Sequence, residues 1–126
     1  YLRAHVEGFS GELTVTQFKG GQSNPTFMLS AGGRRYVLRR KPPGKLLPSA
    51  HAVDREFRVL SALHGTDVPV ARPYVLCEDE SVIGARFYVA ERLRGVILRR
   101  DYPAGLEPTP KLVRAQQEAL VEVLVE

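Results

Sequence analysis

Two groups of residues in this chain carry chemistry. The first is the turn Gly20-Gly21-Gln22-Ser23-Asn24-Pro25-Thr26, set between the strand-like runs Leu13–Phe18 and Phe27–Ala31. Adjacent glycines let the backbone take φ > 0 and keep side chains clear of a ligand. Ser23 and Asn24 add small hydrogen-bonding groups at the same bend. A turn of this make-up can wrap phosphate oxygens with its own N–H groups. An ordinary hairpin loop has the same make-up, so the turn alone decides nothing. The second group centres on one carboxylate. Val53, Phe57, Leu60 and Leu63 follow helical spacing, and at ~100° per residue Glu56 falls between Leu60 and Leu63. A carboxylate inside an apolar stripe needs a cation, because burying it unpaired is costly. Glu56 is the sharper clue.

The elements that must position these groups read in the order strand, strand, strand, helix, strand, strand, linker, helix. Leu13–Phe18 and Pro25–Ala31 flank the glycine turn, and Gly32-Gly33 makes a tight connection to a third strand, Arg34–Arg40. Pro42-Pro43-Gly44 ends that strand. A helix is predicted from Ala50 to His64, with Ser49 as N-cap, Asp54 near its first turn and Gly65 to end it. After an extended connector, Val68–Pro73, come a fourth strand at Tyr74–Glu78 and a fifth at Gly84–Glu91. Leu106–Pro110 is a loop, and Lys111–Glu126 has helical spacing with an apolar face that nothing in the chain covers. Pairing with a second copy, as a homodimer, would hide that face. The N-terminus reads as the last turns of a short helix.

Composition narrows the classes. The chain has 126 residues, enough for one core, and its 44% hydrophobic and 25% charged content is that of a globular protein rather than a disordered one. No apolar run approaches the ~18 residues of a membrane span, and no signal peptide is evident. A cytoplasmic protein without a membrane partner is expected. Cys77 is the single cysteine, which excludes an internal disulfide; it reads as a small buried hydrophobe. His5, His51 and His64 lack metal-ligand spacing. The net charge of +4 comes largely from Arg34, Arg35, Arg39, Arg40, Lys41 and Lys45, then Arg92, Arg94, Arg99 and Arg100. Such clusters suit a polyphosphate, an acidic surface or nucleic acid. They lack the interleaved aromatics that single-strand binding uses.

The order of parts resembles the small lobe of the protein-kinase-like fold, and more closely the aminoglycoside phosphotransferase family. Within that family it is similar to the kinase-like domains associated with acyl-CoA dehydrogenases. The residues carrying the match are Gln17–Thr26, Tyr36–Gly44, Leu46–Glu56, Leu76–Asp79 and Phe87–Glu91. The resemblance implies an α+β fold: a five-stranded antiparallel sheet with one packed helix, then a hinge and the start of a helical lobe. Its implied divisions are a nucleotide-binding lobe over 1–91, a hinge over 92–95 and the start of the C-terminal lobe over 96–126.

Roles also follow from the resemblance. Gly20, Gly21, Gln22, Ser23 and Asn24 would lie over the triphosphate of ATP. Arg39 stands where such kinases usually place a lysine, and would contact phosphates and pair with Glu56. The carbonyl of Glu91 and the N–H of Leu93 would bind adenine. Val37 would form the pocket's apolar roof or lie on its reverse, and Ala90 stands where a bulkier methionine is common. The implied activity is transfer of the ATP γ-phosphate to a small-molecule alcohol. No catalytic side chain is assigned in this chain. The HGD-type loop, with its aspartate base and the asparagine and aspartate that hold Mg²⁺, is absent, since none of the three histidines leads into that arrangement. The chain is therefore expected to be a lobe incomplete for catalysis. The alternative is a non-catalytic basic module that binds RNA or an acidic partner.

Overall fold

The computed structural model describes residues 1–19, 24–42 and 52–95. Their elements are α1 (Leu2–His5), β1 (Thr14–Gln17), β2 (Thr26–Ala31), β3 (Arg34–Arg40), α2 (Val53–Leu63), β4 (Pro73–Cys77) and β5 (Phe87–Glu91). The strands form one antiparallel sheet in the order β1-β2-β3-β5-β4. With α2 on one face, this is the α+β small-lobe architecture that the resemblance implies.

Alternation along the strands sorts side chains onto two faces. Leu29, Tyr36, Leu38, Phe87 and Val89 point to an outer face, where Val6, Leu2 and Phe9 from the N-terminal segment cover them. Tyr88 and Ala90 point to the inner face and pack with Val53, Phe57 and Leu60 of α2. Because β5 is covered on both sides, Phe87 through Ala90 are all buried. Strand β1, at the sheet edge, is exposed along its whole length. Val37 pairs with Ala90 and Arg39 with Tyr88, so Val37 and Arg39 both face α2. Of the two sides left open for Val37 by the sequence, the structure selects that of Arg39.

Tight connections follow local chemistry. Gly32 and Gly33 have φ of +56° and +77°, the left-handed pair that a two-residue hairpin between β2 and β3 needs. A Cβ on Gly32 would stand 2.5 Å from the Ser10 carbonyl oxygen. Glycine there lets the chain entering β1 pass close to the turn.

Several element boundaries differ from those expected. The fifth strand starts at Phe87 rather than Gly84, because residues 79–84 form a turn in which Gly84 takes φ +82° and donates to the Glu80 carbonyl. The fourth begins at Pro73, an edge position where proline's missing N–H is tolerated, and its register shifts between Pro73 and Val75. Helix α2 starts at Val53, with Ala52 at the N-cap making no side-chain bond; Ser49 and Ala50 lie outside the described residues. The helix ends at Leu63 because His64 turns to an extended ψ of 130°, and His64 is exposed. The predicted loop at 106–110 and helix at 111–126 also lie outside the described residues. Among the described residues no helix is long and apolar enough to cross a membrane, and Cys77 is a buried free thiol.

Phe87 is 1% exposed, at the centre of the outer-face cluster. Phe87→Ala is expected to destabilise the chain by about 3–5 kcal/mol, read as a lower urea midpoint at unchanged m-value. Val15→Ala, on the exposed edge strand, should stay within about 0.5 kcal/mol of wild type in the same measurement.

Candidate functional site

Helix α2 carries Glu56 in its first turn, where backbone N–H groups favour negative charge. Its side chain leaves the helix toward β3 and β5. There Arg39 and Tyr88 stand opposite one another in the ladder, on the face that α2 covers. Arg39 Nη1 lies 3.2 Å from Glu56 Oε2, and the Tyr88 hydroxyl donates to the same oxygen at 2.8 Å. The other carboxylate oxygen, Oε1, accepts from Nδ2 of Asn24 at 3.3 Å. Three segments distant in sequence therefore meet on one carboxylate.

Asn24 arrives from the end of the glycine-rich turn. Its backbone is fixed by the residues after it: Phe18 N–H donates to Thr26 O at 3.0 Å, and Arg40 N–H to Pro25 O at 3.1 Å. The Thr26 hydroxyl donates to the Asn24 carbonyl at 3.0 Å. Asn24 is 2% exposed, yet its side-chain oxygen has no hydrogen-bond partner among the described residues. Arg39 Nε is likewise buried without a partner among them.

The ion pair itself is half open. The side chains of Arg39 and Glu56 keep 32% and 34% of their surface, so Glu56 is not sealed in the core as its place in the apolar stripe implied. At that exposure an ion pair contributes at most about 1 kcal/mol. The guanidinium needs only one edge for the carboxylate, and its remaining N–H groups suit an oxyanion. The arrangement can hold a phosphate beside a cation directed by Glu56, whose carboxylate is in turn held by Tyr88 and Asn24.

Of the residues singled out from sequence, Asn24, Arg39 and Glu56 come together. Gly20, Gly21, Gln22 and Ser23 lie outside the described residues. Glu91 closes β5; its carboxylate accepts from the Arg72 N–H at 3.2 Å, while the Leu93 side chain, in the segment that follows, is 58% exposed. Sequence reasoning missed Tyr88. The alternation of Phe87-Tyr88-Val89-Ala90 places Tyr88 on the α2 face, but only the β3–β5 register puts it beside Arg39. Among the described residues no group of His, Cys, Asp and Glu could hold a metal ion.

The family model of the phosphotransferase enzyme family matches residues 14–125. The chain belongs to this family. Among curated relatives it is similar to acyl-CoA dehydrogenase family member 11 of Mus musculus, 53% identical over 103 residues, which is 79% of this chain and 13% of that protein. The human family member 11 is 47% identical over 130 residues, covering 100% of this chain and 16% of that protein. This phosphotransferase-family chain thus spans about one-seventh of the length of these relatives. A crystal structure of a candidate aminoglycoside phosphotransferase from Ralstonia eutropha superposes with a TM-score of 0.67 at 56% identity, covering 78% of this chain and 27% of that one.

Burial raises the Tyr88 phenol to about 12, helped by the hydrogen bond to Glu56 and by its charge, with Arg39 acting in the opposite sense. The folded pKa lies above the ordinary value of 10.0. The protonated phenol therefore stabilises the fold fully below that value, and its contribution is lost as pH rises toward 12. Between these limits wild type should lose stability more steeply than Tyr88→Phe in urea titrations.

Proposed function

We propose that this chain is the ATP-binding lobe of a small-molecule kinase that transfers the γ-phosphoryl group to an alcohol. The observation that carries this reading is the Arg39–Glu56 pair, 3.2 Å apart across the gap between β3 and α2. A cation held this way by a helix carboxylate is what phosphate binding under a glycine-rich turn calls for.

In this reading residues 1–91 bind the nucleotide, 92–95 form a hinge and 96–126 lead into a second lobe. The backbone of Gly20, Gly21, Gln22, Ser23 and Asn24 wraps phosphate oxygens, and Arg39 donates to them. Val37, on the same face as Arg39 and opposite Ala90, roofs the adenine. Ala90 keeps that pocket open, while the Glu91 carbonyl and Leu93 N–H bind the adenine edge. The edge of the Arg39 guanidinium not turned to Glu56 fits a polyphosphate. Magnesium supplies charge neutralisation when bound, and its ligands, like the base that takes the acceptor's proton, are assigned to the second lobe. The whole protein is taken to work in the cytoplasm. Its relatives are named as acyl-CoA dehydrogenase family members, so a hydroxyacyl thioester is the first alcohol to test, ahead of aminoglycosides and choline-like alcohols.

A second reading has its own observation. Arg34, Arg35, Arg92 and Arg94 line one cavity of about 410 Å³ with Tyr36 and Tyr74, at the end of the sheet where β5 runs into segment 92–95. That concentration of positive charge suits RNA or an acidic partner.

Calorimetry on the full-length protein separates the two. Arg39→Ala should weaken ATP binding by about 10–100-fold, the loss of charge-assisted hydrogen bonds, with little change in any RNA affinity. An RNA binder would instead ignore Arg39→Ala in ATP titrations. It would lose affinity steeply with salt, in proportion to the phosphates contacted.

A further inference from the structure

Asn24 is the residue of the site whose presence stability does not explain. It is 2% exposed, and among the described residues its Oδ1 has no partner and its single side-chain hydrogen bond goes to Glu56. Burying an amide with one end unsatisfied costs desolvation that an apolar residue of similar size would avoid. What the amide does achieve is a link. It is the side chain by which the glycine-rich turn touches α2 among the described residues, and it lands on the carboxylate that also holds Arg39 and Tyr88.

We propose that Asn24 is a positioning residue, a latch that ties the chain entering β2 to Glu56 and so sets Asn24 and the Arg39 guanidinium in one register. This rests on the reading of the turn and Arg39 as a phosphate site. The two oxygens of Glu56 divide the work. Oε2 takes Arg39 and Tyr88, and Oε1 is left for Asn24. The anchor is stiff on both sides. Pro25 restricts the backbone of Asn24 to extended conformations, and the bonds Phe18 N–H to Thr26 O and Arg40 N–H to Pro25 O hold its neighbours to β1 and β3. A shift of α2 that withdrew Glu56 would therefore release Asn24 as well as Arg39. The positions of α2 and of Asn24 become one variable.

The test uses the full-length protein, with two readouts. The first is amide hydrogen exchange over residues 18–26 without nucleotide. The second is the split between KM for ATP and kcat. Asn24→Ala should raise exchange by about three- to tenfold, the loss of one modest hydrogen bond, and raise KM for ATP by a similar factor with kcat less affected. In a Glu56→Ala background the same substitution should add almost nothing to exchange, because the latch already lacks its partner. A merely structural asparagine would show its full effect in both backgrounds. Wild-type exchange in Asn24→Ala, or an undiminished effect in the Glu56→Ala background, overturns the latch. If Asn24→Ala does not fold, Glu56→Ala alone must raise exchange over 18–26, and unchanged exchange overturns the latch equally. Failure of wild type to bind ATP would sink the nucleotide reading instead, while the exchange data still decide whether Asn24 latches the turn.

Discussion

The carboxylate of Glu56 is the point on which the inner face of this sheet is organised. It accepts a guanidinium from β3, a phenol from β5 and an amide from the glycine-rich turn, at 3.2, 2.8 and 3.3 Å. A carboxylate has room for about four donors, so this one is nearly saturated by its own protein. Each donor also loses freedom. Arg39 carries a long side chain with many rotamers, and a partner on one edge of its guanidinium leaves the other edge facing a defined direction. Since about a third of both charged side chains stays exposed, the interaction adds little to stability, and its consequence is orientation.

That orientation depends on the sheet beneath it. Arg39 and Tyr88 are direct partners across β3 and β5, and a slip of one residue would send one of them to the outer face. The register is held by the buried rows on both sides of β5: Phe87 and Val89 outward, Tyr88 and Ala90 inward. On the outward side the seal is the N-terminal segment, with Leu2, Val6 and Phe9. A region far from the inner face in space thus helps keep Arg39 facing the helix.

Membership of the phosphotransferase enzyme family, matched over residues 14–125, and the crystallographic neighbour at 56% identity put this geometry in context. The same lobe recurs inside much longer relatives, of which the chain spans 13–16%. Among the described residues of the lobe no group of His, Cys, Asp and Glu could hold a metal ion.

Much of this was legible in the residues themselves. Period-two runs marked the strands. Gly32-Gly33 marked a two-residue hairpin, confirmed by positive φ at both. Glu56 in an apolar stripe announced a partner cation, because an unpaired acid at such a position is costly whatever the fold. These are local properties, in which one residue's chemistry constrains its neighbours along the chain. Strand boundaries were less legible, as at Gly84 and Pro73, where turn geometry and an edge position overrode the apolar pattern. Tyr88 could not be found this way, nor could the side of the sheet on which Val37 lies or the amide that Asn24 gives to Glu56. Each depends on which residue of one strand stands beside which residue of another, and on how a helix rests across them. Pairing between segments 32 positions apart is decided by the summed packing of two sheet faces, and only the folded chain contains that sum.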